Sequence, residues 1–161
     1  MLERLWTEAQ DKAEKRRKAA ARASVVLAFC DIDHFKPVND IHGHDTGDRV
    51  LQMVARTLAD GAGERCQVVR YGGEEFVVVY RGQTVEEARD NLDAIRATLA
   101  RRPFVNRTTS QSLGTITFSG GVADLFAYPD HRAALRAADE ALYRAKREGR
   151  NRIELADPAE G

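Results

Sequence analysis

The sequence predicts an α+β fold with a sheet of about five strands and helices on its faces. Short runs rich in β-branched and aromatic residues alternate with longer segments whose apolar residues recur every three or four positions. Some predicted strands are joined directly by a hairpin and others through helices, and this variety of connections is typical of the class. A chain of 161 residues is long enough to form a single domain with a buried core.

These patterns place the elements in a definite order along the chain. They are helix 3–22, strand 24–31, short helix 35–42, helix 46–60, strand 66–71, strand 75–80, helix 85–101, strand 114–123, helix 131–147 and strand 151–155, with a polar loop at 107–113 that leaves room for a small extra hairpin. Asp45 is the expected N-cap of its helix, and Thr84 with Glu87 forms a capping-box pattern. Asp130 is an expected N-cap, and Gly149 marks the end of the last helix.

The first predicted strand ends in a pair of aspartates. Residues 25–30 are a continuous apolar run, as expected for a central strand buried on both faces. The two-residue period of a strand places Asp31 and Asp33 on one face. Carboxylates at a strand end are the oxygen ligands that Mg²⁺ requires. We interpret Asp31 as a metal ligand, whereas for Asp33 a metal ligand and a helix N-cap both remain open.

Two glycines and two glutamates separate the next pair of strands. Gly72, Gly73, Glu74 and Glu75 lie between two β-rich runs, which predicts a tight hairpin with acids at its tip. Glycine at the turn allows a phosphate or another backbone to approach closely. Adjacent glutamates repel one another, so we expect a cation to compensate them. A merely solvated hairpin tip is the alternative.

An acidic segment before the second long helix suggests recognition of a nucleobase. A guanine edge offers two parallel donors, N1–H and the N2 amino group, and the carboxylate of Asp48 can accept both, while Asn39 has a donor and an acceptor for the rest of the base. The alternative is that Asp48 only stabilises the helix dipole. Near the end of the chain, Lys146 and Arg150 flank a helix C-terminus, where they either complement that dipole or bind a triphosphate.

Together these segments resemble the GGDEF family of diguanylate cyclases over roughly residues 24–152. The motifs that carry the resemblance are Asp31-x-Asp33-x-Phe35-Lys36-x-x-Asn39-Asp40, Gly43-His44-x-x-Gly47-Asp48, Arg70-Tyr71-Gly72-Gly73-Glu74-Glu75-Phe76, Ser119-Gly120-Gly121-Val122-Ala123 and Ala138-Asp139-x-Ala141-Leu142-Tyr143-x-Ala145-Lys146-x-x-Gly149-Arg150-Asn151. The resemblance implies the palm-like nucleotidyl cyclase fold, in which a mixed, mostly antiparallel central sheet is flanked by helices.

The resemblance also implies a reaction and a set of site residues. The reaction is the condensation of two GTP molecules into cyclic di-GMP with release of two pyrophosphates. Asp31, Glu74 and the Ile32 carbonyl match the metal ligands, for two Mg²⁺ per GTP, with Mn²⁺ as another possible metal. Glu75, Glu74 and Lys146 match catalytic positions, and Glu75 is assigned as general base or orienter of the 3′-hydroxyl. The substrate-binding positions are His34, Phe35, Lys36, Asn39, Asp48, Gly72, Gly73, Lys146 and Arg150.

The symmetry of that product implies that two copies of the chain meet in an antiparallel dimer, each carrying one GTP. Two other functions compete with this one. The first is a catalytically silent module that binds GTP or cyclic di-GMP as a sensor. The second is a plain dimerisation or output module whose acids only solvate the surface. Intact Asp31, Glu74, Glu75, Lys146 and Arg150 argue against a silent module.

The chain departs from the family pattern in two places. Many members carry an inhibitory product site, Arg-x-x-Asp, where this chain has Gly63-Glu64-Arg65-Cys66, so we expect no feedback through that site. The Asp-x-Leu-Thr-x-Leu-x-Asn-Arg segment that usually opens the family is also missing. We therefore interpret residues 1–23 as an N-terminal helix linking an upstream sensory domain to a catalytic domain at 24–161, the alternative being a parent protein that differs here from its relatives.

Composition limits the remaining partners. Lys plus Arg and Asp plus Glu number 25 each, so no net charge attracts nucleic acid or an anionic membrane. No apolar stretch approaches the ~20 residues that span a bilayer, and the charged N-terminus does not resemble a signal peptide. We expect a cytoplasmic domain in which Cys30 and Cys66, both on predicted strands without metal-binding spacing, are buried reduced thiols.

Overall fold

Helices cover both faces of a five-stranded sheet in the computed structural model, which describes residues 1–157 and, for residues 18–23, the backbone alone. The end of the predicted catalytic domain, 158–161, lies outside the described residues, and the division of the chain at residue 23 stays a prediction. The elements are α1 (Leu2–Ala23), β1 (Val25–Ile32), α2 (Phe35–His42), α3 (His44–Ala62), β2 (Cys66–Arg70), β3 (Glu75–Arg81), α4 (Val85–Ala100), β4 (Pro103–Val105), β5 (Ser112–Thr115), β6 (Phe118–Asp124), a 3₁₀ helix (Leu125–Ala127), α5 (His131–Arg147) and β7 (Ile153–Leu155).

The sheet has the strand order β2-β3-β1-β6-β7. Its strands pair antiparallel except for β6 and β7, which are parallel. The predicted mixed, mostly antiparallel sheet of five strands is therefore confirmed. The apolar run of β1 is the central strand, because it pairs with β3 on one side and β6 on the other.

The two faces of β1 pack against different helices. The even-numbered side chains of β1 lie in the main core with residues of α3 and α4, including Val50, Leu58 and Leu92. Phe29 lies on the opposite face, in a smaller cluster with Leu142 of α5. Asp31 and Asp33 continue the row of Phe29, so they share a face as predicted, and that face is the one covered by α5.

Close packing of α5 on the sheet depends on Gly121 in β6. A Cβ atom at this position would collide with the backbone of Ala138 and Leu142. Both helix residues are buried, as are Ala134, Ala141 and Ala145 along the same stripe. Small side chains on the helix and glycine on the strand therefore let the two backbones approach each other.

The predicted strand 114–123 is wrong as a single element. It is divided into β5, which pairs with β4 in a separate two-stranded hairpin, and β6, which pairs with β1. The residues between the two strands do not mark the break, because the buried Ile116 and the half-buried Thr117 are both of types that favour strands. The change of pairing partner is a tertiary effect that the residue types do not reveal.

Most helix boundaries agree with the predicted caps, and one does not. Thr84 and Glu87 form the predicted capping box, and Asp130 accepts a hydrogen bond from the Ala133 amide at 2.8 Å. The prediction that Asp45 is an N-cap is wrong. Gly43, with a φ of 85°, precedes the helix instead, and Asp45 lies in the first turn, where its charge favours the helix dipole.

The two cysteines differ in their surroundings. Cys30 is buried on the central strand, and burial raises the pKa of its thiol. Cys66 is half-buried because β2 lies at the edge of the sheet, so the prediction of burial is confirmed for Cys30 and wrong for Cys66. Both thiols are free.

No helix within residues 1–157 has the length and apolar character needed to cross a membrane.

Candidate active site

The register of two central strands brings the predicted acids together. In the antiparallel pair β1–β3, Asp31 lies directly opposite Glu75. The next amide along β1, that of Ile32, donates a hydrogen bond to the carbonyl of Glu74 at 3.2 Å. Opposed residues of an antiparallel pair are about 4.5–5.5 Å apart at Cα, so the three acids lie together at one end of these two strands.

Asp31 is held in place by a cation from α5. The Nζ atom of Lys146 lies 3.0 Å from Oδ1 of Asp31, and the Asp31 residue is only 7% exposed. Lys146 is itself half-buried, so solvent screens this ion pair less than one at the surface. Lys146, in the C-terminal turn of α5, is a cation near the hairpin, but its ion pair is with Asp31, and on Glu74 and Glu75 it acts only through its charge.

This cation does not balance the acids. Burial first, and then the charges of neighbouring acids, raise the pKa of the Asp31, Glu74 and Glu75 carboxyls, and for each of them the favourable charge of Lys146 is outweighed. Three carboxylates facing one ammonium carry an excess of negative charge, and the donors are all oxygens. A hard divalent cation fits one or two of these carboxylates, since Mg²⁺ needs few protein ligands when phosphate oxygens and water complete its shell.

Arg70 stabilises the glycine turn of the hairpin. Its Nε donates to the Gly72 carbonyl at 3.1 Å, and its Nη2 donates to the Gly73 carbonyl at 2.8 Å. The turn is closed by the Tyr71 amide, which donates to the Glu75 carbonyl at 2.8 Å. The sequence patterns gave Arg70 no role. The available signal was its position at the start of the turn, separated from the pair Gly72 and Gly73 by a single residue.

A cleft of about 660 Å³ opens beside the acids, between α2, α3 and the hairpin. Its lining consists of Phe35, Lys36, Asn39, Asp40, His44, Asp48, Leu51, Arg70, Gly73, Glu74 and Glu75. Asn39 and Asp48 therefore share one cleft with the hairpin acids, as required for the predicted recognition of a base. Gly47 makes this possible, because a Cβ atom there would collide with Oδ1 of Asn39.

A second cavity of about 480 Å³ lies on the α5 side of the same acids. Asp31, Glu75 and Lys146 line it together with Asp139, and Glu75 belongs to both cavities. Asp139 was missed as a site residue; its charge contributes to the raised pKa of Asp31 and of Glu75. Its spacing of seven residues before Lys146, two helical turns on one face, is the signal that was available.

The predicted phosphate loop begins in an unusual backbone conformation. His34 is exposed and adopts left-handed angles, φ 55° and ψ 36°. Phe35 is buried at the start of α2, and the exposed Lys36 lines the larger cleft. The turn at His34 thus separates the acidic strand end from a helix whose first residues face the cleft.

Asp33 does not cap α2, so that alternative is wrong. The helix has no side-chain cap, and both carboxyl oxygens of Asp33 accept hydrogen bonds from other parts of the chain. Thr117 Oγ1 donates at 2.8 Å, Ser119 Oγ at 2.7 Å and the Asn151 amide at 3.0 Å.

Some predicted residues lie outside these two cavities. Among the described residues, Arg150, Ile32 and Gly72 line neither of them, and His34 lines a separate one with Asp33. Within residues 1–157 there is no group of three or more His, Cys, Asp or Glu side chains arranged to hold a metal ion. The predicted metal ligands include only two such side chains, Asp31 and Glu74, because the third ligand is the backbone carbonyl of Ile32.

Comparisons with known proteins identify the family. The family model described as "Diguanylate cyclase, GGDEF domain" matches residues 4–152. Diguanylate cyclase DgcP of Pseudomonas aeruginosa is 39% identical over 143 residues, which are 89% of this chain and 21% of that protein. Diguanylate cyclase VdcA of Vibrio cholerae is 35% identical over 133 residues, 83% of this chain and 39% of that protein. The chain thus spans about a fifth to two fifths of the length of these curated relatives.

Solved structures of similar domains have the same fold. The GGDEF domain of DgcB from Caulobacter crescentus, in complex with c-di-GMP, superposes with a TM-score of 0.79 at 35% identity, covering 93% of this chain and 87% of that one. The active GGEEF domain of a diguanylate cyclase from Vibrio cholerae gives a TM-score of 0.77 at 34% identity, covering 91% of this chain and 92% of that one. By family match, sequence identity and fold, the chain belongs to the GGDEF family of diguanylate cyclase domains.

Proposed function

We propose that this chain condenses two molecules of GTP into cyclic di-GMP and releases two pyrophosphates. The observation that carries the proposal is the β1–β3 register, which sets Asp31 opposite Glu75 at the edge of a cleft that also contains Asn39 and Asp48. Diguanylate cyclases of this family are the proteins that the chain resembles over most of its length.

Recognition of guanine is assigned to two helices. The carboxylate of Asp48 accepts the N1–H and N2 amino donors of the base, and Asn39 hydrogen-bonds to the remaining polar edge. Adenine lacks this donor pair and would leave the carboxylate unpaired. The triphosphate extends from this end of the cleft toward Lys36 and the acids, with Gly73 allowing close approach at the turn.

Family members generally depend on a divalent metal, and the residues of this chain fit one. Asp31 and Glu74, with the Ile32 carbonyl, would hold Mg²⁺, or Mn²⁺ in its place, at two ions per GTP. When bound, the metal supplies charge neutralisation at the reacting phosphate and at the leaving pyrophosphate. Lys146, already 3.0 Å from Asp31, adds a fixed positive charge on the α5 side.

Glu75 is assigned to the proton transfer. The 3′-oxygen of one GTP forms a bond to the α-phosphorus of the other, and the bond from that phosphorus to the bridging oxygen of pyrophosphate breaks. The hydroxyl proton passes to the Glu75 carboxylate, whose pKa is raised by burial and by Asp31, which strengthens it as a base. A second, equivalent transfer closes the ring.

Two copies of the chain are needed, because each provides one GTP half-site. A dimer with the clefts face to face brings each 3′-hydroxyl to the opposite α-phosphorus. A monomer should therefore bind GTP and form very little product.

The decisive experiment is to incubate the protein with GTP and Mg²⁺ and to detect the cyclic dinucleotide by chromatography. We expect the specific activity to rise with protein concentration, and a leucine-zipper fusion to remain active on dilution. Glu75→Gln should abolish product formation, whereas Glu86→Gln, an exposed acid on α4, should not. A zipper fusion that binds GTP in calorimetry but makes no product would contradict the proposal and favour the silent sensor module. No heat with GTP analogue and Mg²⁺ would favour a structural module.

A further inference from the structure

The chain leaves α5 through a strained segment. Three consecutive residues have positive φ: Gly149 at 122°, Arg150 at 65° and Asn151 at 48°. Glycine adopts such angles freely and asparagine tolerates them, but the side chain of Arg150 disfavours them. Two successive non-glycine residues in this conformation persist only where the surroundings hold them, and such segments concentrate at functional sites.

Three hydrogen bonds hold this segment. The Arg150 amide donates to the Ala145 carbonyl at 2.9 Å, which closes the end of α5. The Asn151 amide donates to Oδ2 of Asp33 at 3.0 Å, and the Asn151 side-chain oxygen accepts from Nη1 of Arg96 at 2.8 Å. The contact to Asp33 is the one that ties the segment to the central strand.

Asp33 is built into the structure as an acceptor. It is 6% exposed, and Oδ1 accepts from Ser119 while Oδ2 accepts from both Thr117 and Asn151. Among the side chains that the structure describes, none forms an ion pair with Asp33, so these three donors are what stabilise its buried charge. A buried carboxylate with this many protein donors is already satisfied as an acceptor.

Asp33 lies between the strand end that carries the candidate site and the segment that carries Arg150, a predicted substrate-binding residue outside the two cavities. It follows the proposed metal ligand Asp31 by two residues and immediately precedes His34, where the phosphate loop begins in a left-handed conformation. Through the Asn151 amide it also fixes the residue next to Arg150. One side chain thus contacts the segment that carries Arg150 and lies next to the loop that begins at His34.

We propose that Asp33 is a positioning residue that holds Arg150 and the His34–Lys36 loop in a fixed relation for binding the triphosphate of GTP. This inference rests on the proposed function, because it assigns Asp33 a role in the same site. Asp33 acts through the Asn151 amide and contacts neither metal nor nucleotide. Asp33 holds these segments through the hydrogen bonds that its two carboxyl oxygens accept, so its negative charge is not required.

The chemistry of the three donors makes it possible to distinguish a positioning role of Asp33 from a metal-binding role. In Asp33→Asn, the amide oxygen can accept from Thr117 and Asn151 while the amide nitrogen donates to the Ser119 hydroxyl, which accepts as well as donates. Asp33→Ala loses all three bonds. A positioning role therefore predicts rescue by asparagine, and a ligand role predicts that asparagine and alanine fail alike.

The test compares these variants in steady-state kinetics with GTP. We expect Asp33→Ala to raise KM at least tenfold with kcat within threefold of the wild type, and Asp33→Asn to stay within threefold in both. Arg150→Ala should raise KM by a similar factor, and the double variant Asp33→Ala, Arg150→Ala should lose less than the product of the two single losses, because Asp33 acts partly through Arg150. Thr117→Val, which removes one bond but leaves that of Asn151, is the matched control.

A second measurement does not depend on turnover. Amide hydrogen exchange at Asn151 should be slow in the wild type and in Asp33→Asn and fast in Asp33→Ala. If the wild type makes no product, the proposed function fails while exchange, together with titration by a non-hydrolysable GTP analogue and by GMP, still tests Asp33. A tenfold KM rise in Asp33→Asn, additive effects in the double variant, or an Asn151 amide protected without Asp33 would each overturn the inference. If Asp33→Ala does not fold, Asp33→Asn still separates the two roles: a KM within threefold of the wild type supports positioning, and a tenfold rise overturns it.

Discussion

Asp48 lines the cleft from α3 while Asn39 reaches it from α2, and a glycine at position 47 leaves room between them. The side chain of Asp48 is exposed, so its proposed role in base specificity rests on geometry and charge rather than on burial. Asp45, another acid on α3, does not line the cleft.

We expect Asp48→Ala to weaken binding of GTP by about 10- to 100-fold and to leave the weak binding of ATP nearly unchanged, because two hydrogen bonds to a charged acceptor are lost only with guanine. Isothermal titration with non-hydrolysable analogues of both nucleotides measures this. Asp45→Ala is the control and should leave both affinities unchanged. Equal loss for the two nucleotides would refute the assignment of Asp48 to the base.

Glu75 shows that the site is not optimised for stability. Burial first, and then the charges of Asp31 and Asp139, raise the pKa of Glu75 above the ordinary value of 4.5, so its ionised form destabilises the folded state at neutral pH. In metal-free protein we expect Glu75→Gln to raise the Tm by about 1–3 °C at pH 7. The gain should disappear as the pH falls below about 4, where the carboxyl is protonated in both the folded and the unfolded chain.

Thermal unfolding in the presence of a chelator, recorded at both pH values, checks this expectation. Glu86→Gln removes an exposed acid from the first turn of α4, where a negative charge is favourable, and should not raise the Tm. A Tm lowered by Glu75→Gln at pH 7 would show that the charge of Glu75 is compensated in the folded protein.

At the scale of the elements, the close packing of α5 on the sheet depends on the absence of a side chain at one position of β6. Gly121 faces the helix backbone at Ala138 and Leu142, where a methyl group has no space. We expect Gly121→Ala to destabilise the protein by about 3 kcal/mol, since overpacking against backbone cannot be relieved by a rotamer change. Urea unfolding measures the difference.

Gly73→Ala is the matched control for that variant. A Cβ atom at Gly73 meets nothing within 4 Å, so its free energy of unfolding should change by less than about 0.5 kcal/mol. If Gly121→Ala were equally harmless, α5 would have to pack further from the sheet than described.

The elements that sequence patterns predicted well are those whose information is local. The acids of the hairpin, the capping box at Thr84 and the apolar run of β1 are each specified by neighbouring residues. The interactions of Asp33 could not be predicted in this way, because its donors lie 84, 86 and 118 residues away along the chain. The division between β5 and β6 was missed for the same reason, since it reflects a change of pairing partner.

For the whole molecule, the missing Arg-x-x-Asp pattern has a measurable consequence. Residues 63–65 connect α3 to β2, which begins at Cys66, and the segment has neither the arginine nor the aspartate at the spacing of that pattern. We expect cyclic di-GMP to bind only in the half-site, so that the double variant Asn39→Ala, Asp48→Ala weakens it by more than about 30-fold in calorimetry. Arg65→Ala should leave the affinity as it is. Tight binding by the double variant would reveal a separate product site.

The ladder between β1 and β3 runs without interruption from Val25 opposite Arg81 to Asp31 opposite Glu75. A strand slipped by one residue would turn Asp31 to the other face of the sheet, and the seven-pair ladder resists such a slip because one face is buried against α5. Insertions and deletions in the connections outside this ladder, such as the loop between β4 and β5, therefore leave the spacing of the acids intact. The lengths of those connections can therefore vary during evolution without moving the candidate site.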